Sequence, residues 1–260
     1  MFVAFNIKIE SFADYFKVGN QIYDENNKQI RSKLKNLVIQ GGSFDGSKIE
    51  AEWFPQTNAD VFISHSHRDK NLAISFAGFL KSYFDLNVFI DSSVWGYSDD
   101  LLKEIDEKCF QRASNTYNYA CRNATTSHIH MMLATALDKL IDNSECLIFL
   151  NTHNSISPYE VINKTASPWL YHELAISKII RRKNLRTVRN SQSKTFSDST
   201  AKLNESILQF QVLYDAPLTH LINLTEKDLC DWIRKFSPSE FALDTLYEIK
   251  IQELSSPLLD

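Results

Sequence analysis

Short apolar runs of strand type alternate along the chain with stretches of helical periodicity. Asp60-Val-Phe-Ile-Ser64 ends in the polar turn His65-Ser-His-Arg-Asp69. Beyond that turn Leu72, Phe76, Phe79, Leu80 and Tyr83 recur at three- and four-residue steps, which is one face of a helix. Asn87-Val-Phe-Ile-Asp91 reads as a second buried strand. It leaves through the loop Ser92-Ser-Val-Trp-Gly-Tyr-Ser98, and Asp99 and Asp100 then open a helix, where acidic residues suit the positive end of the dipole. Residues 109–126 are polar and predict an irregular insertion, with Ser127 capping the next helix. There Ile129, Met132, Leu133, Ala136, Leu137, Leu140 and Ile141 keep to one face. Glu145-Cys-Leu-Ile-Phe-Leu150 is the third strand. A loop over residues 151–166 follows, and Ser167-Pro168 starts a helix with Ser at the N-cap and Pro at the first helical position.

Further on, residues 185–188, 211–214 and 220–224 are strand candidates, separated by a polar excursion at 189–204. Thr225-Glu-Lys-Asp228 resembles a capping box, ahead of a helix burying Leu229, Trp232, Ile233 and Phe236. Alternation of this kind predicts an α/β fold: a parallel sheet with helices on both faces. Residues 1–58 read as a leader to that domain. They carry weak helical spacing over 12–37, turns at Gly41-Gly42 and Asp45-Gly46, and an apolar anchor at Trp53-Phe-Pro55. The main domain is expected over 59–236, and a helical extension over 237–260.

Composition narrows the function classes. Of the 260 residues 43% are hydrophobic and 12% aromatic, enough to fill a core, and the net charge of −4 offers no broad positive field for nucleic acid or an anionic membrane. The longest strictly apolar run, Cys146 to Leu150, is far short of a membrane span. With no signal-type start, the expectation is a cytoplasmic protein. The four cysteines show no paired short spacing, so neither a zinc knuckle nor a redox pair is written here. Six glycines leave no phosphate-cradling loop of the P-loop or dinucleotide kind.

Ligands of parallel α/β sheets bind outside the carboxyl ends of the strands. That places Ser64, His65, Ser66 and Arg68 on the floor of the candidate pocket. The same turn could simply cap its helix through Ser66 or Asp69. Trp169 and Glu173 are four apart on one helix and share a face just after a strand-end loop, so a carboxylate with an aromatic wall could point at that pocket. Equally, Trp169 could be a core anchor and Glu173 a helix acid. His65-Ser-His67 and His128-Ile-His130 could suggest a metal, but residues two apart on a helix point in opposed directions, and no metal is expected. A phosphoacceptor receiver would want its Asp at the end of a central strand, and a Ser-His-Asp hydrolase would want Gly-x-Ser-x-Gly; neither is present.

Asp60-Val-Phe-Ile-Ser-His65, then Val88-Phe-Ile-Asp91 with its loop, then Trp169-x-x-x-Glu173 resemble, in this order, the first strand, the second strand with its BB loop, and the Trp-x-x-x-Glu helix of a TIR (Toll/interleukin-1 receptor) domain. The resemblance covers roughly residues 59–236, and the extensions look most like bacterial TIR proteins, including those of Thoeris-type anti-phage defence. It implies a flavodoxin-like parallel five-stranded sheet flanked by helices. TIR domains divide into adaptors that only assemble and enzymes that cleave the nicotinamide–ribose bond of NAD. In the enzymes the Trp-x-x-x-Glu glutamate is catalytic, and by that match it falls on Glu173. The insertion at 109–126 and the excursion at 189–204 depart from the family pattern and bear on pocket shape and product.

A single carboxylate suits this chemistry. Ordinary glycosides need an acid for a poor leaving group, hence two carboxyls. The nicotinamide of NAD is already a cation and departs neutral, so what needs stabilising is the oxocarbenium charge on the ribose. An ionised carboxylate in a partly dry site supplies that. The expected substrate contacts are His65, Ser66, Arg68, Asp91, Trp95 and Trp169. Arg68 is the phosphate candidate, and the two tryptophans are aromatic surfaces for a cationic ring. NAD is substrate, and no cofactor is expected. The product would be an ADP-ribose-derived nucleotide, a signal for a downstream effector in antiviral defence. The competing expectation is a non-catalytic TIR scaffold acting through self-association.

Overall fold

Strands buried on both faces read as continuous apolar runs, and five such runs lie side by side in this protein. The structure is a computed structural model describing residues 1–9, 11–28, 58–92, 102, 110–111, 116–156, 164–185 and 213–251. Its strands are β1 (Val3–Ile7), β2 (Val61–Ser64), β3 (Val88–Ile90), β4 (Cys146–Leu150) and β5 (Ile222–Leu224). They form one all-parallel sheet in the order β3-β2-β4-β1-β5. In register, Ser64 lies opposite Phe149 and Ile7 opposite Leu150, so the chain leaves β2, β4 and β1 at the same level.

Alternate strand residues feed two cores. Val3, Phe5, Ile7, Val61, Ile63, Cys146, Ile148 and Leu150 point to one face. There α1 (Phe16–Lys28), α2 (Lys70–Phe84), α5 (Glu226–Lys235) and α6 (Ala242–Ile251) supply Tyr23, Phe76, Leu80, Trp232 and Leu246. Ala4, Phe62, Leu147 and Phe149 point to the other face. That face is covered by α3 (Tyr119–Asn143) and α4 (Pro168–Ile179), with Leu133, Leu137, Leu170 and Leu174. This is the α/β fold, helices on both faces of a parallel sheet, that the alternation predicts.

Four expectations need correction. Residues 1–58 are not simply a leader: β1 is an interior strand between β4 and β5, so the sheet begins at Val3 rather than at residue 59. The helix α1 packs directly on α2, where the two backbones meet at Gly19 and Gly78. A Cβ on Gly19 would lie 1.8 Å from the Ile74 carbonyl oxygen, and one on Gly78 would lie 2.2 Å from that of Tyr15. The third helix starts at Tyr119 with Asn118 as its cap, whose side chain accepts from the Cys121 N–H at 3.0 Å, not at Ser127. Its first two turns are largely exposed and so lack the apolar stripe that marks a helix in sequence. Finally, Leu185 is helical rather than part of a fourth strand, and Tyr214–Asp215 pairs antiparallel with Lys164–Thr165 outside the main sheet. The rest of 185–188, the Trp53-Phe-Pro55 anchor, the excursion at 189–204 and the opening of the Asp99-Asp100 helix lie outside the described residues.

The strand order places β2, β3 and β4 as the first three strands of a flavodoxin-like 2-1-3-4-5 sheet, and β5 as the far edge. The fourth position is filled by β1. The capping box at Thr225 and Asp228 is formed reciprocally, as its sequence pattern predicts. Helix α6 falls within the expected C-terminal extension and packs back onto the first core through Leu243, Leu246 and Tyr247.

Candidate active site

Strand β2 is followed by β3 on one side and β4 on the other, so the sheet reverses direction of winding between β2 and β4. Crevices at such points are where open α/β sheets bind ligands. The carboxyl end of β2 carries Ser64, His65 and Ser66, that of β3 carries Asp91, and that of β4 carries the loop from Asn151. Helix α4, on the same face as α3, reaches the end of β2 through Glu173. Its start is fixed locally: the Ser167 hydroxyl accepts from the Leu170 N–H at 3.2 Å, Pro168 follows, and the Ser167 N–H donates to Thr165 Oγ1. With the start pinned, Leu170, Glu173, Leu174 and Ser177 share the inward face.

Glu173 therefore points to the strand ends and not to bulk water. Ser64 Oγ donates to Glu173 Oε2 at 2.6 Å. The backbone N–H of His65 donates to Asp91 Oδ2 at 3.5 Å, and His65 Nδ1 lies 2.5 Å from Asp91 Oδ1. That second contact is short but misses hydrogen-bond direction. Ser64, His65, Asp91 and Glu173 are each 0% exposed. The Asp91 charge acts on Glu173 within this buried cluster. Glu173 Oε1 and Asp91 Oδ1 have no fixed N–H or O–H donor among the described residues.

Burial sets the protonation. It pushes Glu173 well above the usual carboxylate range, and the facing Asp91 charge adds to the push, while the Ser64 hydroxyl opposes it. Burial likewise raises Asp91, against the backbone N–H groups of His65 and Ser92 and the Glu173 hydrogen bond. Burial also lowers His65 to about 4, with the Glu173 charge as the leading opposing effect, so its ring is neutral at pH 7. The sequence reading assumed a freely ionised Glu173. The site instead holds two buried carboxyls, both pushed by burial towards their protonated forms.

The other sequence-chosen residues divide. Ser66 is buried at the start of the turn, and its carbonyl accepts from the Asp69 N–H at 2.8 Å. Neither Ser66 nor Asp69 makes a side-chain cap. Instead the Asp69 carboxylate accepts from Asn154 Nδ2 at 2.6 Å and from Thr152 Oγ1, clasping the β2 turn to the loop after β4. Arg68 is exposed on the turn. Trp169 is half-buried, packed on the α3 side of the sheet with its ring edge-on to His130 at 5.7 Å. Trp95 lies outside the described residues.

Sequence reasoning missed two features of the site. One is the Asp69 clasp, signalled only by a Thr-x-Asn just after a central strand. The other is the burial of Asp91 together with Glu173 in one cluster, where the Asp91 charge acts on Glu173. Among the described residues no group of three or more His, Cys, Asp or Glu is arranged to hold a metal ion, and no helix is long and apolar enough to cross a membrane. Cys121 is in a disulfide, which the cysteine spacing did not predict.

The fold and site define an α/β protein with a five-stranded all-parallel sheet and a buried carboxyl pair at its switch point. In comparisons with known proteins, no family model, curated protein or solved structure matches the chain.

Proposed function

We propose that this protein is a TIR-type enzyme that cleaves the nicotinamide–ribose bond of NAD, with Glu173 as the catalytic carboxyl. The observation that carries this reading is the aim of Glu173. The motif Trp169-x-x-x-Glu173 is matched in sequence, and its glutamate lies 2.6 Å from Ser64 at the carboxyl end of β2. As the bond to the cationic nicotinamide breaks, positive charge moves onto the ribose C1′ and ring oxygen. A Glu173 carboxylate facing that sugar stabilises the charge more in this dry setting than it could in water. Ser64 holds one carboxylate oxygen in place, leaving Oε1 for the sugar. The leaving group departs neutral and needs no general acid. The ADP-ribosyl product then forms with water or another nucleophile, and a defence signal for a downstream effector is the role we assign to it.

A second reading has its own support. The complete burial of Glu173 favours a structural carboxyl, and hence a TIR scaffold that works by self-association. Incubating the purified protein with NAD, with and without a crowding agent, and measuring free nicotinamide separates the two. The enzyme reading expects release that Glu173→Gln abolishes. Release by the variant at the parent rate would sink the assignment of Glu173. No release under any condition, together with concentration-dependent assembly, would favour the scaffold.

A further inference from the structure

Residues in register on neighbouring parallel strands share a face of the sheet. On the face covered by α3 and α4, one level reads Phe89, Phe62, Leu147 and Ala4 across β3, β2, β4 and β1, and all are apolar. Two residues further towards the carboxyl ends, the level reads Ser64, Phe149, Asn6 and Asn223 across β2, β4, β1 and β5. Three of these four positions are polar, at the level where Ser64 holds Glu173. Exposure rises along the row: Ser64 and Phe149 are buried, Asn6 is half-buried and Asn223 is exposed.

Asn6 Nδ2 donates to Asn223 Oδ1 at 2.8 Å. The bond leaves an acceptor, Asn6 Oδ1, and a donor, Asn223 Nδ2, on the two joined amides. Asn6 Oδ1 is buried and has no hydrogen-bond partner among the described residues. A pair kept only to join two strands would not leave a buried acceptor without a donor. A carboxylate or phosphate brings acceptors alone and would face Asn6 Oδ1 with another acceptor. An ammonium brings donors alone and would leave Asn223 Nδ2 unanswered. A primary carboxamide answers both, its NH2 donating to Asn6 Oδ1 and its oxygen accepting from Asn223 Nδ2.

We propose that Asn6 and Asn223 are a carboxamide-reading subsite, and that they select NAD by the amide of its nicotinamide ring. An adenine edge also pairs a donor with an acceptor, but position favours the nicotinamide. Asn6 lies two strands from Ser64, roughly 10 Å by strand spacing. The carboxamide is carried on the ring bonded directly to the reacting sugar carbon, whereas adenine lies beyond two phosphates and a second ribose. The exposed end of the row, at Asn223, is the way out for freed nicotinamide. The identity of the ligand rests on the NAD reading; the amide complementarity does not.

Side-chain amide ¹⁵N NMR of the full chain tests this without relying on turnover, with Asn6→Ala and Asn223→Ala identifying the two signals. Nicotinamide is expected to shift both side-chain amide signals, and nicotinate, which has a carboxylate in place of the amide, to shift neither. Asn223→Ala is expected to weaken nicotinamide binding about tenfold, the loss of one hydrogen bond, and to erase the preference over nicotinate. That residue is exposed, so the test stays open should Asn6→Ala not fold. In turnover, NAD is expected to be cleaved in preference to its carboxylate analogue by the parent and not by Asn223→Ala. Signals unmoved by nicotinamide, or moved as much by nicotinate, overturn the subsite. Nicotinamide release that Glu173→Gln abolishes, together with unmoved asparagine signals, overturns the subsite and leaves the NAD reading standing. Shifts as expected with no release from NAD under any condition overturn the NAD reading and leave the carboxamide site standing.

Discussion

Ser64 Oγ and Glu173 Oε2 are joined by a 2.6 Å hydrogen bond across 109 residues of sequence. The bond ties the end of a central strand to the inward face of α4 and sets which carboxyl oxygen remains available. A buried acceptor that loses its donor costs about 1–3 kcal/mol. Ser64→Ala is therefore expected to lower the unfolding free energy by about that much in urea titrations, and to slow nicotinamide release at neutral pH because Glu173 then holds its proton more tightly. Unchanged stability in the alanine variant would mean that the bond contributes nothing.

The carboxyl pair makes stability depend on pH with a definite sign. Glu173 and Asp91 are raised in the folded protein by burial. Above the ordinary carboxylate value of about 4, the unfolded chain gives up protons that the folded one retains. Folding stability then falls as pH rises through the interval up to the raised value. Glu173→Gln removes one of the two carboxyls, so it is expected to be more stable than the parent at neutral pH, by a margin that shrinks towards pH 4. Thermal melting across that range checks it, and a margin independent of pH would mean that the pair is not protonated on folding.

Helices α1 and α2 meet backbone to backbone. With carbonyl oxygens 1.8 Å and 2.2 Å from where a Cβ would sit on Gly19 and Gly78, an alanine cannot be absorbed by a side-chain movement. Alanine gains roughly 1 kcal/mol over glycine in helix propensity, but overpacking costs about 1–3 kcal/mol and here falls on main chain. Gly78→Ala and Gly19→Ala are each expected to lower the melting temperature. Because α1 carries Tyr23 to the Ser92 carbonyl, they are also expected to raise the hydrogen-exchange rate around Ser92. A melting temperature equal to or above the parent's would show that the crossing is looser than described.

Where burial is continuous, the sequence was legible. The apolar runs at β2, β3 and β4, the Ser167-Pro168 start of α4 and the Thr225 capping box are local signals, and the structure places an element at each. Strand β1 has the same apolar character over Val3–Ile7. Its partners, however, are 143 or more residues away, since Val3 pairs with Cys146 and Phe5 with Ile222, so nothing near it in sequence marks it as a sheet strand. The opening of α3 was hidden for the opposite reason, since an exposed helix needs no apolar stripe. At the candidate site, Glu173 and Asp91 could each be picked out as strand-end or helix-start acids. The influence of the Asp91 charge on Glu173 could not, because Asp91 follows β3 and Glu173 lies on α4, 82 residues further along the chain.

His65 supplies a pH effect of opposite sign to that of the carboxyl pair. Burial holds its ring at about 4 against an ordinary 6.5, so between those values the unfolded chain takes up a proton that the folded one refuses. On this account stability is lost as pH falls, by about 3 kcal/mol at roughly 1.4 kcal/mol per unit. In the parent protein that loss is partly masked, because the carboxyl pair gains stability over the same interval. Glu173→Gln removes part of that mask: urea titrations of this variant are expected to show stability falling more between about pH 6.5 and 4 than in the parent. Adding His65→Asn to Glu173→Gln is expected to flatten that fall. If adding His65→Asn leaves that fall unchanged, the His65 ring is protonated as easily inside the fold as outside it, contrary to its complete burial.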